Sequence, residues 1–92
     1  MKPIELSEGF RTQVRGLSRE VRVKVGRALQ ELERDFGNPH RHHGLGIRKL
    51  IGNYFEIRVG LELRLVFENQ PESLLFLMAG DHDEVRRFLR GS

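Results

Sequence analysis

The chain has 92 residues, with 38% hydrophobic and 32% charged side chains, a composition typical of one folded domain rather than of a disordered segment. It contains no cysteine, which excludes disulfides, thiolate metal sites and cysteine nucleophiles. No apolar run is long enough to cross a membrane, and the first residues do not form a signal peptide. We therefore expect a cytoplasmic protein with no membrane partner.

Arginine dominates the basic residues of this chain. The formal net charge is +3, and arginine supplies all of the basic side chains except Lys2, Lys24 and Lys49. Its planar guanidinium suits bidentate contact with phosphate or carboxylate. This balance favours a polyanion, an acidic protein partner, or both, although ordinary solubility charge gives the same net value.

Two helices are predicted near the start, after a weakly marked edge strand at residues 3–6. Ser7 is suited to cap the first helix, and Ser18 a second and longer one. Gly37 is a stop signal, because glycine favours the position just after a helix. The short break at residues 16–18 makes the two helices a hairpin. An apolar stripe along the second helix indicates packing on a core: Val21, Val25, Ala28, Leu29, Leu32 and Phe36.

Four strands are predicted next, at about residues 47–51, 54–59, 63–68 and 73–79. Their short links imply an antiparallel meander. The first three strands alternate apolar and charged residues, so each has one core-facing side and one outward side. The outward sides repeatedly carry arginine: Arg48, Arg58 and Arg64. The fourth strand is apolar at nearly every position, as in a strand covered on both faces.

A final helix is predicted from Asp81, because Glu84 three residues later completes a capping-box pattern. The fold class is therefore α+β: one domain over residues 1–92, in which an N-terminal helical hairpin packs on a mainly antiparallel sheet of four to five strands, followed by a short C-terminal helix. Two registers remain open for the central hairpin. One sets Arg58 opposite Arg64; the other sets Glu56 opposite Arg64 and Arg58 opposite Glu62.

The order of elements and three local segments resemble the RelE/ParE toxin superfamily over almost the whole chain. Residues 47–60 (IRKLIGNYFEIRVG) resemble the family stretch LRKLKGGYYRIRVG. Residues 63–67 (LRLVF) resemble its YRVIY strand, and residues 79–85 (AGDHDEV) resemble its VGHRRDVY-type ending.

The resemblance implies the toxin of a type II toxin–antitoxin system, held inactive by a cognate antitoxin. It further implies ribosome-dependent cleavage of mRNA, so the expected partners are an antitoxin and mRNA on the ribosome, with no cofactor. Two alternatives stay open. One is a ParE-like toxin that inhibits DNA gyrase without chemistry, and the other is a degenerate member that only binds antitoxin.

By the same resemblance, Arg48 or Lys49, and then Arg64, occupy the basic positions on the concave sheet face. His82 stands where many relatives carry a basic residue, and Arg86 where several carry a tyrosine implicated in proton transfer. We therefore predict His82, Arg64 and Lys49 as catalytic residues. The predicted substrate-binding residues are Arg48, Arg58, His43 and Arg86.

The departure at Arg86 makes histidine the predicted proton-transfer group. Cleavage through a 2′-hydroxyl needs a base, an acid and cations for the developing charge. An arginine stabilises charge but does not exchange its proton readily, whereas histidine exchanges one near neutral pH. We expect His82 to fill this role, with His43 or His42 as a second group. The loop histidines and a carboxylate could also bind zinc, but a glycine-flanked loop is a poor rigid scaffold, and we predict no metal site.

Overall fold

Residues 2–37 and 46–91 are described by the computed structural model, and they form one five-stranded sheet with helices on both faces. The strand order is β1-β5-β4-β3-β2. The predicted α+β fold, with its helical hairpin, mainly antiparallel sheet and short last helix, is confirmed. The elements are β1 (Ile4–Leu6), α1 (Glu8–Arg15), α2 (Arg19–Asp35), β2 (Ile47–Lys49), β3 (Tyr54–Val59), β4 (Leu63–Asn69), β5 (Leu74–Gly80) and α3 (His82–Arg90).

The helices begin and end where local side-chain chemistry dictates. The Ser7 hydroxyl accepts a hydrogen bond from the Phe10 amide at 3.1 Å, and the Ser18 hydroxyl accepts one from the Val21 amide at 3.2 Å. Both bonds satisfy amides that have no partner inside the helix. Gly37 follows α2 with a φ of 86°, a conformation that glycine adopts without the penalty of a Cβ.

The sheet is a meander of four antiparallel strands, extended at one edge by β1, which pairs in parallel with β5. Side chains cover the outer edge of β1. The Ile4 amide donates to Glu33 Oε2 at 3.3 Å, and the Leu6 carbonyl accepts from Arg11 Nε at 3.3 Å. These bonds occupy backbone groups that a further strand would need, so they protect the edge against strand addition.

Two apolar clusters lie on opposite faces of the sheet. The larger one joins the helical hairpin to the sheet; its fully buried members include Phe10, Leu32, Leu65, Phe67 and Phe76. The smaller one lies under α3 and is formed by Val66, Met78 and Val85. Part of the face predicted to be solvent-exposed is therefore covered by α3.

Register decides which side chains share that second face. Arg58 lies directly opposite Arg64, so the first of the two predicted registers is correct. β2 ends at Lys49 rather than at residue 51, because a turn begins there: the Tyr54 amide donates to the Ile51 carbonyl at 2.9 Å, and Gly52 has a φ of 57°.

Of the helices in the described ranges, none has both the length and the apolarity that a bilayer crossing requires.

Candidate active-site cleft

A cleft of about 300 Å³ separates α3 from the end of the sheet formed by β2 and β3. Four polar side chains line it: Arg48, Glu56, His82 and Arg86. The apolar side chains of Leu50, Val85 and Leu89 complete its wall. We call this cavity the α3 cleft. It brings together three of the predicted site residues: Arg48 from β2, and His82 and Arg86 from α3.

Local structure places each polar group of the α3 cleft. Arg48 on β2 lies directly opposite Glu56 on β3, so the two side chains share a face of the sheet. His82 and Arg86 are four residues apart on α3 and therefore lie on one side of the helix. The start of α3 is fixed by a capping box, in which the Asp81 amide donates to Glu84 Oε1 at 2.9 Å and the Glu84 amide donates to Asp81 Oδ1 at 2.8 Å.

Glu56 is a buried carboxylate that sequence reasoning did not select as a site residue. It is 4% exposed, and its Oε2 lies 3.4 Å from Arg64 Nε. That distance permits an ion pair, but the geometry is not that of a hydrogen bond, and Arg64 Nε has no hydrogen-bond acceptor among the described residues. The alternation of β3 only places Glu56 on the outward face with Arg58. Glu56 faces α3 across the cleft, an arrangement that no local pattern indicates.

Arg64 lines a second cavity, of about 240 Å³, on the other side of His82. Three carboxylates also line this cavity: Glu62, Asp81 and Asp83. One arginine against three carboxylates makes this cavity unfavourable for a phosphate, whereas two arginines against one carboxylate make the α3 cleft favourable. His82 lines both cavities and stands at the boundary between them.

The prediction that Lys49 joins Arg64 and His82 on one face is wrong. Lys49 pairs with Phe55, whose ring packs against Phe36 and Phe67 in the core on the opposite side of the sheet. Successive strand residues point to opposite faces, so only one of Arg48 and Lys49 can face α3. Arg48, which lies opposite Glu56, is the residue that faces α3.

The other predicted residues have simpler placements. Arg58 is exposed and lies on the same face as Arg64, directly opposite it, near the turn at residues 60–62. His43, and with it His40 and His42, lies outside the described residues. Within residues 2–37 and 46–91, no group of three or more histidine, aspartate or glutamate side chains is arranged to hold a metal ion.

Solved structures of bacterial and archaeal toxins share this fold. The chain is similar to the RelB–RelE antitoxin–toxin complex from Methanococcus jannaschii, with a TM-score of 0.71 at 16% identity over 91% of this chain and 96% of that one. It is also similar to the YoeB dimer from Staphylococcus aureus, with a TM-score of 0.70 at 18% identity over 88% and 97%. The isolated RelE toxin of E. coli gives a TM-score of 0.68 at 14% identity over all of both chains.

No family model and no curated protein sequence matches the chain. The only matches are therefore to solved structures, and at these sequence identities they establish the fold. The chain has the RelE-like toxin fold.

Proposed function

We propose that this protein is the toxin of a type II toxin–antitoxin system and that it inhibits translation in the cytoplasm by cutting mRNA on the ribosome. One observation carries the proposal: the α3 cleft combines two arginines with a histidine, on the sheet face that carries all three arginines of the described strands, Arg48, Arg58 and Arg64. The structural neighbours include an isolated toxin and two complexes of a toxin with its antitoxin, which supports the first part of the proposal.

The chemistry of the cleft suits an attack by a 2′-hydroxyl on the adjacent phosphate. Arg48 and Arg86 would hold the phosphate and stabilise the negative charge that develops on it. His82, which lines the cleft, would carry out proton transfer, because an imidazole ring can both accept and donate a proton. This scheme needs no cofactor. It keeps Arg48 and Arg86 as substrate-binding residues and gives Lys49 and Arg64 no contact with the phosphate.

Transcript breaks and DNA damage during growth arrest distinguish this function from inhibition of DNA gyrase. The protein is expressed without its antitoxin, and transcript ends and DNA damage are followed during arrest. Codon-phased breaks within translated mRNA support the proposal, whereas a DNA-damage response with intact mRNA supports a ParE-like gyrase inhibitor. The variant His82→Ala should stop the breaks. Intact mRNA without damage, in cells that grow normally, supports the degenerate antitoxin-binding member.

The antitoxin is proposed to occupy a groove of about 340 Å³ between α1 and α2. Its apolar side chains include Phe10, Val14 and Leu29, and three arginines line it without any acidic residue: Arg11, Arg15 and Arg22. An amphipathic helix with acidic flanks fits both features. Strand addition at the β1 edge is opposed by the Glu33 and Arg11 side chains that already bond there.

Gly26 offers a direct test of that groove. It lines the groove, and a Cβ built on it has no neighbour within 4 Å. The variant Gly26→Leu should keep the fold and the toxicity but lose neutralisation by coexpressed antitoxin, while Gly26→Ala should remain neutralised. Full neutralisation of Gly26→Leu would place the antitoxin on another surface.

A further inference from the structure

The α3 cleft contains one charged group that the scheme above does not use. Glu56 is 4% exposed, in a small domain where water would otherwise solvate a carboxylate freely. The cleft is where it reaches the surface, beside His82 and Arg86. A carboxylate among cations in a cleft is well placed to act on a substrate that the cations bind.

Two arginines flank the Glu56 carboxylate. Arg64 Nε lies 3.4 Å from Oε2, and Arg48 lies directly opposite on β2. Arg64 Nε makes no hydrogen bond to the carboxylate, and Glu56 lines the α3 cleft, so its carboxylate borders the space that a substrate would occupy.

We propose that Glu56 is the base of the cleavage reaction and that His82 is therefore its acid. This assignment rests on the proposed function. Glu56 would touch the substrate, and Arg64 would be a positioning residue that acts through Glu56. The position of Arg64 on the far side of His82 is consistent with that role, because it contacts Glu56 without lining the α3 cleft.

The step balances without any further reactant. A carboxylate oxygen of Glu56 takes the proton of the 2′-hydroxyl as the 2′-oxygen forms a bond to phosphorus. The bond from phosphorus to the 5′-oxygen breaks, and protonated His82 gives its proton to that leaving oxygen. The products are a 2′,3′-cyclic phosphate and a free 5′-hydroxyl. Arg48 and Arg86 stabilise the charge on the non-bridging oxygens.

A leaving-group substitution separates the base from the acid. Single-turnover cleavage is measured on ribosomes programmed with a short mRNA, once with the natural linkage and once with sulfur in place of the 5′-bridging oxygen. A thiolate leaves without protonation, so this substrate no longer needs the acid. Glu56→Gln and His82→Ala should each slow cleavage of the natural linkage by about 100-fold or more. On the sulfur substrate, His82→Ala should recover to within about ten-fold of the unmodified protein, while Glu56→Gln should stay slow.

Binding of an uncleavable 2′-deoxy substrate distinguishes catalysis from positioning. Glu56→Gln should bind it with an affinity within about three-fold of the unmodified protein, since the base does not hold the phosphate. Circular dichroism confirms that the variant is folded. The assignment is overturned if Glu56→Gln cleaves normally, if the sulfur substrate rescues it, or if its rate loss is matched by a loss of affinity.

Failure of the base assignment and failure of the proposed function give different results. If the unmodified protein cleaves neither substrate, the proposed function is wrong, and the role of Glu56 falls with it. If the unmodified protein and Glu56→Gln cleave equally well, the function stands and only the assignment of the base is wrong.

Discussion

Breaking the Glu56–Arg64 ion pair should lower stability far more than breaking an exposed pair. The two side chains are 6% and 13% exposed, so the variant Glu56→Leu leaves Arg64 charged, largely buried and without its carboxylate. Removing one partner of a fully buried pair costs about 3–5 kcal/mol. Because Arg64 keeps some contact with water and its Nε makes no aligned hydrogen bond to Glu56, we expect about 2–3 kcal/mol here.

Urea and thermal unfolding, followed by circular dichroism, measure this loss. It corresponds to a fall in Tm of roughly 10–20 °C for a domain of this size. The double variant Glu56→Leu with Arg64→Met should recover to within about 1 kcal/mol of the unmodified protein, since it removes both buried charges. As a control, Arg34→Met breaks the pair with Asp35, in which the arginine is 61% and the aspartate 8% exposed, and it should cost less than Glu56→Leu because only one of the two charges is buried. A loss below about 0.5 kcal/mol for Glu56→Leu, with no recovery in the double variant, would refute this reasoning.

Three further stability predictions use the same unfolding assay. Gly60 has a φ of 71°, so Gly60→Ala should lower the free energy of unfolding by about 1–2 kcal/mol. Gly26 lies within α2, where alanine is the better helix former, so Gly26→Ala should raise it by up to about 1 kcal/mol. A change of the same sign in both variants would contradict this reasoning. A Cβ at Gly80 would lie 2.9 Å from the Glu84 Cβ, so Gly80→Ala should displace Glu84 from the capping box. We expect the free energy of unfolding to fall by about 1–2 kcal/mol. Unchanged stability would show that Glu84 can move away without loss. Ser18→Ala should cost about 1 kcal/mol, while an unchanged midpoint would mean that water replaces the cap.

Local chemistry made most of the fold predictable from the sequence. The caps at Ser7, Ser18 and Asp81 each depend on a side chain within three residues of the amide it bonds. The strands of the meander were predicted within a residue or two, since alternation and glycine-containing turns are also local. β1 was the weakest prediction because three residues carry little pattern, and its pairing with β5 joins segments some 70 residues apart.

The candidate site was less predictable because it depends on long-range packing. The alternation of β2 shows that Arg48 and Lys49 point in opposite directions, but only the pairing with β3 shows which of them faces α3. The position of Glu56 opposite His82 and Arg86 likewise requires α3 to fold back over the sheet. The sequence did indicate His82 and Arg86, which share one side of α3 once Asp81 is accepted as its cap.

Two adjacent residues of β2 provide the most direct test that the α3 side of the sheet is the RNA-binding face. Affinity for an uncleavable 2′-deoxy mRNA on the ribosome is compared for Arg48→Ala and Lys49→Ala, which remove one positive charge each from opposite faces of the same strand. A lost charge-assisted contact of about 1.5–3 kcal/mol should weaken binding by Arg48→Ala about ten-fold or more. Lys49→Ala should bind within about two-fold of the unmodified protein, because its side chain is exposed on the other face. A larger loss for Lys49→Ala than for Arg48→Ala would contradict the account.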